Sequence, residues 1–270
     1  MNRFNVLKYE FGSSLKSSLI WAVSLSAFIV MIIGIFTALG EDLQLFSDII
    51  ADFPPEYQAI LGINPESMTS MVSLIAIYLP FLRLSVAIQA AILGLKMLTY
   101  EESQRTADFL LTKPISRNKI FISKLIASLL SIIITISIFT IVAILGYLMA
   151  EKRANYEVGL LIKIMVSMLF TALFVFGFTL ILSQLMKKVK GYIGMAIGLE
   201  IGFFFLSTLK TIMKVEWLGY INPYSYFTAS NIIVDNGYDI VLTIISFLVT
   251  TLTIVLSLVL YNRRDINQVS

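Results

Sequence analysis

The sequence predicts an all-α polytopic membrane protein with six transmembrane helices. Hydrophobic residues make up 58% of the 270 positions and charged residues only 14%, whereas soluble domains average about 45–50% apolar and about 25% charged residues. The charged residues are also clustered, so that long apolar stretches separate them. On a water-soluble chain that much apolar surface would cause aggregation, so the composition requires a lipid bilayer as the solvent.

The apolar stretches define the spans. A helix needs about 20 residues to cross about 30 Å of hydrocarbon, and the bilayer interior accepts only backbones that satisfy their own hydrogen bonds. Four of these stretches contain at least 23 consecutive uncharged residues. Two others are each interrupted by a single charged residue, Arg83 or Glu200. The six predicted spans form one transmembrane domain over residues 1–270, at about 17–40, 70–98, 124–149, 160–186, 191–209 and 240–262.

The N-terminal segment 3–16 has an amphipathic pattern. Phe4, Leu7, Phe11 and Leu15 recur at helical spacing, which predicts a helix lying in the cytoplasmic interface. The alternative is a simple cytoplasmic extension of the first span. That span is expected to be a retained anchor, because its apolar run exceeds the about 7–15 residues of a signal-peptide core.

The distribution of basic residues predicts the orientation. Fourteen of the 20 Lys and Arg residues lie in the N-terminal segment, the 96–124 stretch, the 187–190 cluster and the C-terminal tail, and basic residues mark the cytoplasmic side. Both termini of this multi-pass protein are therefore expected in the cytoplasm, with the chain in the plasma membrane. The first outer loop, 40–69, contains acidic residues and no basic ones, which agrees with this orientation.

Missing residue types exclude several functions. The chain has no His and no Cys, which excludes zinc sites with such ligands, thiol nucleophiles and disulfides. An intramembrane enzyme would need a base, a metal or a pair of carboxylates, and the predicted spans contain one carboxylate, Glu200. The phosphate-binding motif G-x-x-x-x-G-K-[S/T] is also missing. No nucleotide or other cofactor is therefore expected on this chain, and no nucleic-acid partner.

The segment 210–239, between the fifth and sixth spans, is predicted to lie outside and yet is rich in aromatic residues. These are Trp217, Tyr220, Tyr224, Tyr226, Phe227 and Tyr238. Amphipathic aromatic side chains favour the headgroup region of a membrane. We therefore expect extracellular re-entrant or interfacial helices around a turn at Asn222–Pro223.

The cytoplasmic loop 99–123 carries a motif. Its residues are Glu101, Glu102, Thr106, Phe109, Leu110, Leu111, Pro114, Ser116 and Arg117. Pro114 is expected to end one short helix, and Ser116 to cap the next, which runs into the third span. No domain of this chain is predicted to cover the apolar residues of the motif. They are therefore expected to pack against a partner protein or the membrane lipid.

This motif, together with Lys124 at the start of a span, resembles the loop between the second and third spans of ABC-2-type permeases, where it reads approximately E-x-x-x-x-T-x-[D/E]-x-L-L-x-x-P-x-[S/T]-R. The six spans and the aromatic segment extend the resemblance over the whole chain. It implies that the loop is a coupling helix that docks on a separate ATP-binding subunit, which would hold ATP and Mg. Phe109, Leu110 and Leu111 would form an apolar plug, and Pro114 would set the exit angle.

The resemblance further implies an exporter with two ATP-binding subunits and a second permease, either another copy or a paralogue, with the first, second and fifth spans near the dimer interface. Glu101, Glu102 and Arg117 would contact the ATP-binding subunit, or would only stabilise helix ends. Candidate substrates are peptides, antibiotics, lipids and other small molecules. The alternative function is a non-transporting membrane scaffold or sensor that recruits an ATPase for resistance to antimicrobial peptides.

Two ionisable residues, Arg83 and Glu200, lie near the middle of predicted spans, where each costs about 2.5–3.5 kcal/mol on insertion scales. One hypothesis is that they pair, within one subunit or across a dimer. The other is that they line a substrate path, with Gln89 on roughly the same wall as Arg83. Small residues along the fifth span let another helix approach closely, or form a hinge: Gly191, Gly194, Gly198 and Gly202.

Overall fold

The computed structural model describes residues 3–39, 48–49, 51–54, 70–103, 116–150, 158–186 and 191–263, with side chains from residue 6 onward except at 39 and 98–103. Six helices in this part of the chain are long and apolar enough to cross a membrane. They are α1 (Arg3–Leu39), α2 (Met71–Ser103), α3 (Arg117–Ala150), α4 (Val158–Leu185), α5 (Tyr192–Met213) and α8 (Ile240–Arg263). The described residues contain no strand, so the predicted fold class and the number of spans are confirmed.

The chain between α5 and α8 forms two short helices, α6 (Trp217–Ile221) and α7 (Ala229–Val234), joined by a 3-10 turn, Pro223–Ser225. Pro223 has no N–H to donate and a fixed φ, which suits the first position of such a turn. The Thr228 side chain accepts the N–H of Asn231 at 3.4 Å and so caps α7. The predicted turn at Asn222–Pro223 is therefore present.

α1 is one continuous helix of 37 residues, so the segment 3–16 is not a separate element. Its N-terminal part runs beside α3. The hydroxyls of Ser14 and Ser131 are 2.9 Å apart, and the Glu10 carboxylate lies 3.8 Å from the Lys124 ammonium. A helix lying flat in the interface would cross a spanning helix rather than follow it. The structure thus favours the alternative, in which this segment extends the first span.

The bundle contains two pairs of parallel helices. α1 packs extensively on α3, with Ser14 beside Ser131 and Ile33 against Gly146 further along both helices. α2 packs on α4, where Gly94 lies so close that an added Cβ would be 2.8 Å from the carbonyl oxygen of Phe176. α8 also packs on α4, and α2 and α4 are the most buried of the six spans.

α5 lies at the periphery and exposes its glycine face. A Cβ built on Gly194, Gly198 or Gly202 would meet no atom within 4 Å. The glycine pattern predicts that another helix packs against this face, and none of the described helices of this chain does so. The neighbouring Ile197 is exposed on the same helix. Gly191 has a different role, because with φ 71° it begins α5 in the left-handed conformation that favours glycine.

Candidate functional site

The aromatic segment between α5 and α8 folds back along α5. The Asn222 side chain accepts the N–H of Tyr224 at 3.0 Å and donates to the carbonyl of Phe203 at 2.7 Å. Phe203 lies ten residues before the end of α5 at Met213, which corresponds to about 15 Å along the helix axis. The turn therefore returns into the bundle, where Tyr224 and Phe227 are buried.

The aromatic residues of this segment divide into two groups. Trp217 and Tyr220 are 61% and 64% exposed, which suits side chains that face lipid or headgroups. Tyr226 is buried, and its hydroxyl donates to the carbonyl of Tyr220 at 2.5 Å. The Tyr238 hydroxyl donates to the carbonyl of Lys163, on α4, at 2.7 Å. The second group therefore fastens the segment to itself and to the bundle.

Arg83, in the middle of α2, holds the turn in place. Its guanidinium donates to the carbonyl oxygens of Tyr224, at 3.2 Å, and of Phe227. It also donates to the Ser167 hydroxyl, on α4, at 3.0 Å. Only 4% of Arg83 is exposed, and these acceptors replace the water that a buried charge loses. Arg83 thus joins α2, α4 and the turn.

Glu200, in the middle of α5, binds the side chain of the same turn residue. It is fully buried, and its Oε2 accepts the Tyr224 hydroxyl at 2.9 Å. Burial, and then the neighbouring carboxylate, raise the pKa of the Tyr224 hydroxyl well above its ordinary value. The hydroxyl therefore keeps its proton and donates it to the hydrogen bond.

The predicted ion pair between Arg83 and Glu200 is not formed within the chain. Each side chain binds Tyr224 instead, Arg83 through the carbonyl and Glu200 through the hydroxyl. The physical reason is that Tyr224 offers hydrogen-bonding groups to both charged side chains. Tyr224 lies between two spans, so a comparison of the spans alone does not include it. Pairing across a dimer stays a prediction.

The bridging arrangement leaves two buried atoms without a hydrogen-bond partner, Arg83 Nε and Glu200 Oε1. Unsatisfied polar atoms at such depth are costly and uncommon. Charged groups within spanning helices also point to function by default. These two features make the Arg83–Tyr224–Glu200 cluster the strongest candidate functional site in the described part of the chain.

Gln89 lies on a different wall of α2 from Arg83, so the predicted common wall is wrong. Six residues separate the two, and at about 100° per residue this turns the side chain by about 240°. Gln89 accordingly faces α3, where its amide donates to the Thr135 hydroxyl at 2.8 Å. Thr135 in turn donates to the carbonyl of Ser18, on α1, at 3.2 Å. Gln89 therefore belongs to a polar contact among α1, α2 and α3.

The loop between α2 and α3 is described only at its two edges. The backbone of Glu101 and Glu102 is helical at the end of α2, and α3 begins at Arg117, whose side chain is half-buried. The carbonyl of Ser116 accepts the N–H of Lys119 at 3.0 Å, as expected for a residue that caps a helix. The other motif residues lie outside the described residues: Thr106, Phe109, Leu110, Leu111 and Pro114.

The sequence did not indicate the roles of two polar residues. Ser167 is flanked by apolar residues in α4 and accepts a hydrogen bond from Arg83. Lys124 is buried near the start of α3 and donates to the carbonyl of Met97, on α2, at 3.0 Å. A single Ser is ordinary in a spanning helix, and a Lys near a span end is expected to extend toward the interface. The sequence around these two residues therefore did not predict their hydrogen bonds.

The fold and the site define a multi-pass membrane protein whose aromatic segment is anchored in the helix bundle by buried charges. A family model described as "ABC-2 family transporter protein" matches residues 4–266, nearly the whole chain. The chain therefore belongs to this family and is a permease component of an ABC transporter. The ATPase of such transporters is a separate subunit. No curated protein matches the chain at a significant level.

Proposed function

We propose that the chain is the membrane-spanning permease subunit of an ATP-driven exporter, in which a separate ATP-binding subunit docks on the loop between α2 and α3. The length of the two flanking helices carries this proposal. α2 and α3 have 33 and 34 residues, or about 50 Å each, whereas the hydrocarbon core is about 30 Å thick. The excess length lets the loop extend beyond the hydrocarbon core, where a soluble ATPase can reach it.

The Arg83–Tyr224–Glu200 cluster supports the second part of the proposal, which is a gate. The cluster ties the segment between α5 and α8 to α2, α4 and α5 through hydrogen bonds from Arg83 and Tyr224. A movement of α2 that begins at the loop would reach that segment through Arg83. Both charged side chains are buried, as expected for a closed path. Passage of substrate would require the bonds at Tyr224 to break.

The proposed complex holds two ATP-binding subunits and a second permease, either another copy or a paralogue. The exposed glycine face of α5 supports the second permease, because the described helices of this chain leave it uncovered. Both termini and the loop are assigned to the cytoplasm from the distribution of basic residues. The substrate is a peptide, an antibiotic, a lipid or another small molecule.

The test is ATP hydrolysis by the complex that is purified through an affinity tag on this chain. Leu110→Asp and Leu111→Asp place a charge in the proposed apolar plug. Val234→Asp, at an exposed position of α7, adds the same charge far along the chain and is the matched control. We expect the wild type and the control to co-purify a Mg-dependent ATPase, and the loop variants to reach the membrane without it.

Equal ATPase recovery from all four proteins would overturn docking at the loop. An ATPase that no candidate substrate stimulates in reconstituted vesicles would favour the scaffold or sensor. The orientation is checked in the same vesicles. A cysteine at position 119, next to the loop, and one at position 214, after α5, should react with an impermeant maleimide from opposite sides; reaction from one side would contradict the assignment.

A further inference from the structure

Lys124 connects α3 to two other helices close to the loop. It is the eighth residue of α3 and only 5% exposed. Its ammonium donates to the carbonyl of Met97, on α2, at 3.0 Å and lies 3.8 Å from the carboxylate of Glu10, on α1. Met97 lies six residues before the end of α2. The contact is therefore about 10 Å from the edge of the loop along each flanking helix.

The hydrogen bond from Lys124 crosses between the two helix pairs. Glu10 and Lys124 belong to the α1–α3 pair, whereas Met97 belongs to the α2–α4 pair. The bond from Gln89 to Thr135 also joins α2 to α3, but it lies two to three helical turns further from the loop. The hydrogen bond from Lys124 to Met97 therefore joins α2 to α3 closer to the loop than the bond from Gln89 does.

Stability alone does not explain a buried ammonium at this position. Taking a charge out of water is costly, and an apolar residue of similar volume is often at least as stabilising as a buried ion pair. Apolar contacts are non-directional, however, so they would allow α2 to slide along α3. A hydrogen bond from an ammonium to a carbonyl has a defined length and direction. A hydrogen bond of this kind can therefore hold α2 at one axial position against α3.

We propose that Lys124 is a positioning residue that clamps α2 to the α1–α3 pair at the base of the loop, so that both helix pairs move together when the loop is displaced. The source of that displacement, an ATP-binding subunit, rests on the proposed function. Arg83 lies 14 residues before Met97 on α2, or about 21 Å along its axis. Without the clamp, part of the displacement would be lost as sliding before it reached Arg83.

The sequence allows a direct measurement, because it has no Cys, so that spin labels on this chain attach at the two introduced cysteines. Tyr9, on α1, and Leu185, at the end of α4, are 75% and 68% exposed and belong to different helix pairs. The distance distribution between labels at these positions is measured by double electron–electron resonance in nanodiscs. The sample is the complex with its ATP-binding subunit, without nucleotide and after trapping with ATP and vanadate.

Three variants separate the clamp from the loss of a charge. Lys124→Met removes the ammonium, Lys124→Arg keeps a charged donor, and Lys16→Met removes an exposed charge of α1 as the matched control. We expect the wild type, Lys124→Arg and Lys16→Met to give the same narrow distribution in each state. We expect Lys124→Met to give a broader distribution without nucleotide and one that shifts further from that of the wild type after trapping.

A Lys124→Met distribution that matches the control in both states would overturn the clamp. So would a Lys124→Arg distribution as broad as that of Lys124→Met. If Lys124→Met does not reach the membrane, Lys124→Gln, which is shorter and neutral, replaces it with the same expectation. A wild-type complex without ATPase activity would instead overturn the proposed function, and the nucleotide-free distributions would still decide on the clamp.

Discussion

Removing the Tyr224 hydroxyl should reveal how strongly the buried cluster holds the turn. In Tyr224→Phe, Glu200 Oε2 loses its donor at 2.9 Å, and Oε1 has no hydrogen-bond partner in the described part of the chain. The carbonyl of residue 224 stays in place, so its bond from Arg83 is kept. The substitution thus removes one atom and one hydrogen bond.

The expected magnitude follows from the charge of the acceptor. Hydrogen bonds to charged groups contribute about 1.5–3 kcal/mol, whereas double-mutant cycles on hydrogen bonds between membrane helices average about 0.6 kcal/mol. We expect a coupling energy of about 1.5–3 kcal/mol between Tyr224→Phe and Glu200→Met, because the acceptor is a buried carboxylate. Met has a similar length to Glu and offers only a weak acceptor.

The assay is unfolding in mixed micelles with increasing dodecyl sulfate, followed by the fluorescence of Trp21 and Trp217. Free energies of unfolding for the wild type, both single variants and the double variant give the coupling energy. Tyr238→Phe is the matched control, because its hydroxyl donates to a backbone carbonyl of α4 rather than to Glu200. Its coupling to Glu200→Met should be near zero. A Tyr224–Glu200 coupling of about 0.6 kcal/mol or less would refute the reasoning.

Two further predictions concern packing and pH. Gly94→Leu should force α2 away from α4, since even a Cβ would lie 2.8 Å from the Phe176 carbonyl oxygen, and should lower the free energy of unfolding by about 1–3 kcal/mol. Gly34→Leu, where a Cβ meets no atom within 4 Å, should have little effect, and equal losses would contradict the close packing. Burial raises the pKa of Tyr238 to about 12 from 10.0, so the folded state holds this proton more tightly than the unfolded chain. The stability that Tyr238 contributes is complete below pH 10 and is lost as the pH rises through 12. Ultraviolet titration of Tyr238→Phe should lack one of the late-ionising tyrosines that the wild type shows; an identical titration of both proteins would contradict the raised pKa of Tyr238.

Much of the fold was predictable from the spacing of charged residues. Length and lack of charge identify a span whatever its neighbours are, because the bilayer requires about 20 apolar residues in a helix. The N-terminal segment shows the limit of such reasoning. An amphipathic pattern indicates that one face of a helix is buried, but it does not identify what the helix packs against. Here the segment packs against α3, where the hydroxyls of Ser14 and Ser131 are in contact.

The candidate site was predictable in part. Arg83 and Glu200 stood out because ionisable residues are rare in spans. Their common partner did not, because Tyr224 belonged to a segment that was expected on the outer side of the membrane, as re-entrant or interfacial helices, and lies 141 residues after Arg83. Gln89 was assigned to the wrong wall, although the helical repeat alone argues against a common face with Arg83.

The sequence by itself determined that this chain is a membrane protein, that it has six helices able to cross the bilayer and that two charged residues lie within them. These conclusions depend on local composition, because the free energy of transferring a helix into hydrocarbon is approximately a sum over its residues. Only the tertiary structure decided which groups satisfy those charges and which helices pack as pairs. Hydrogen bonds need partners within about 3 Å, and that proximity arises when distant segments, such as the turn at Tyr224 and the middle of α2, fold together.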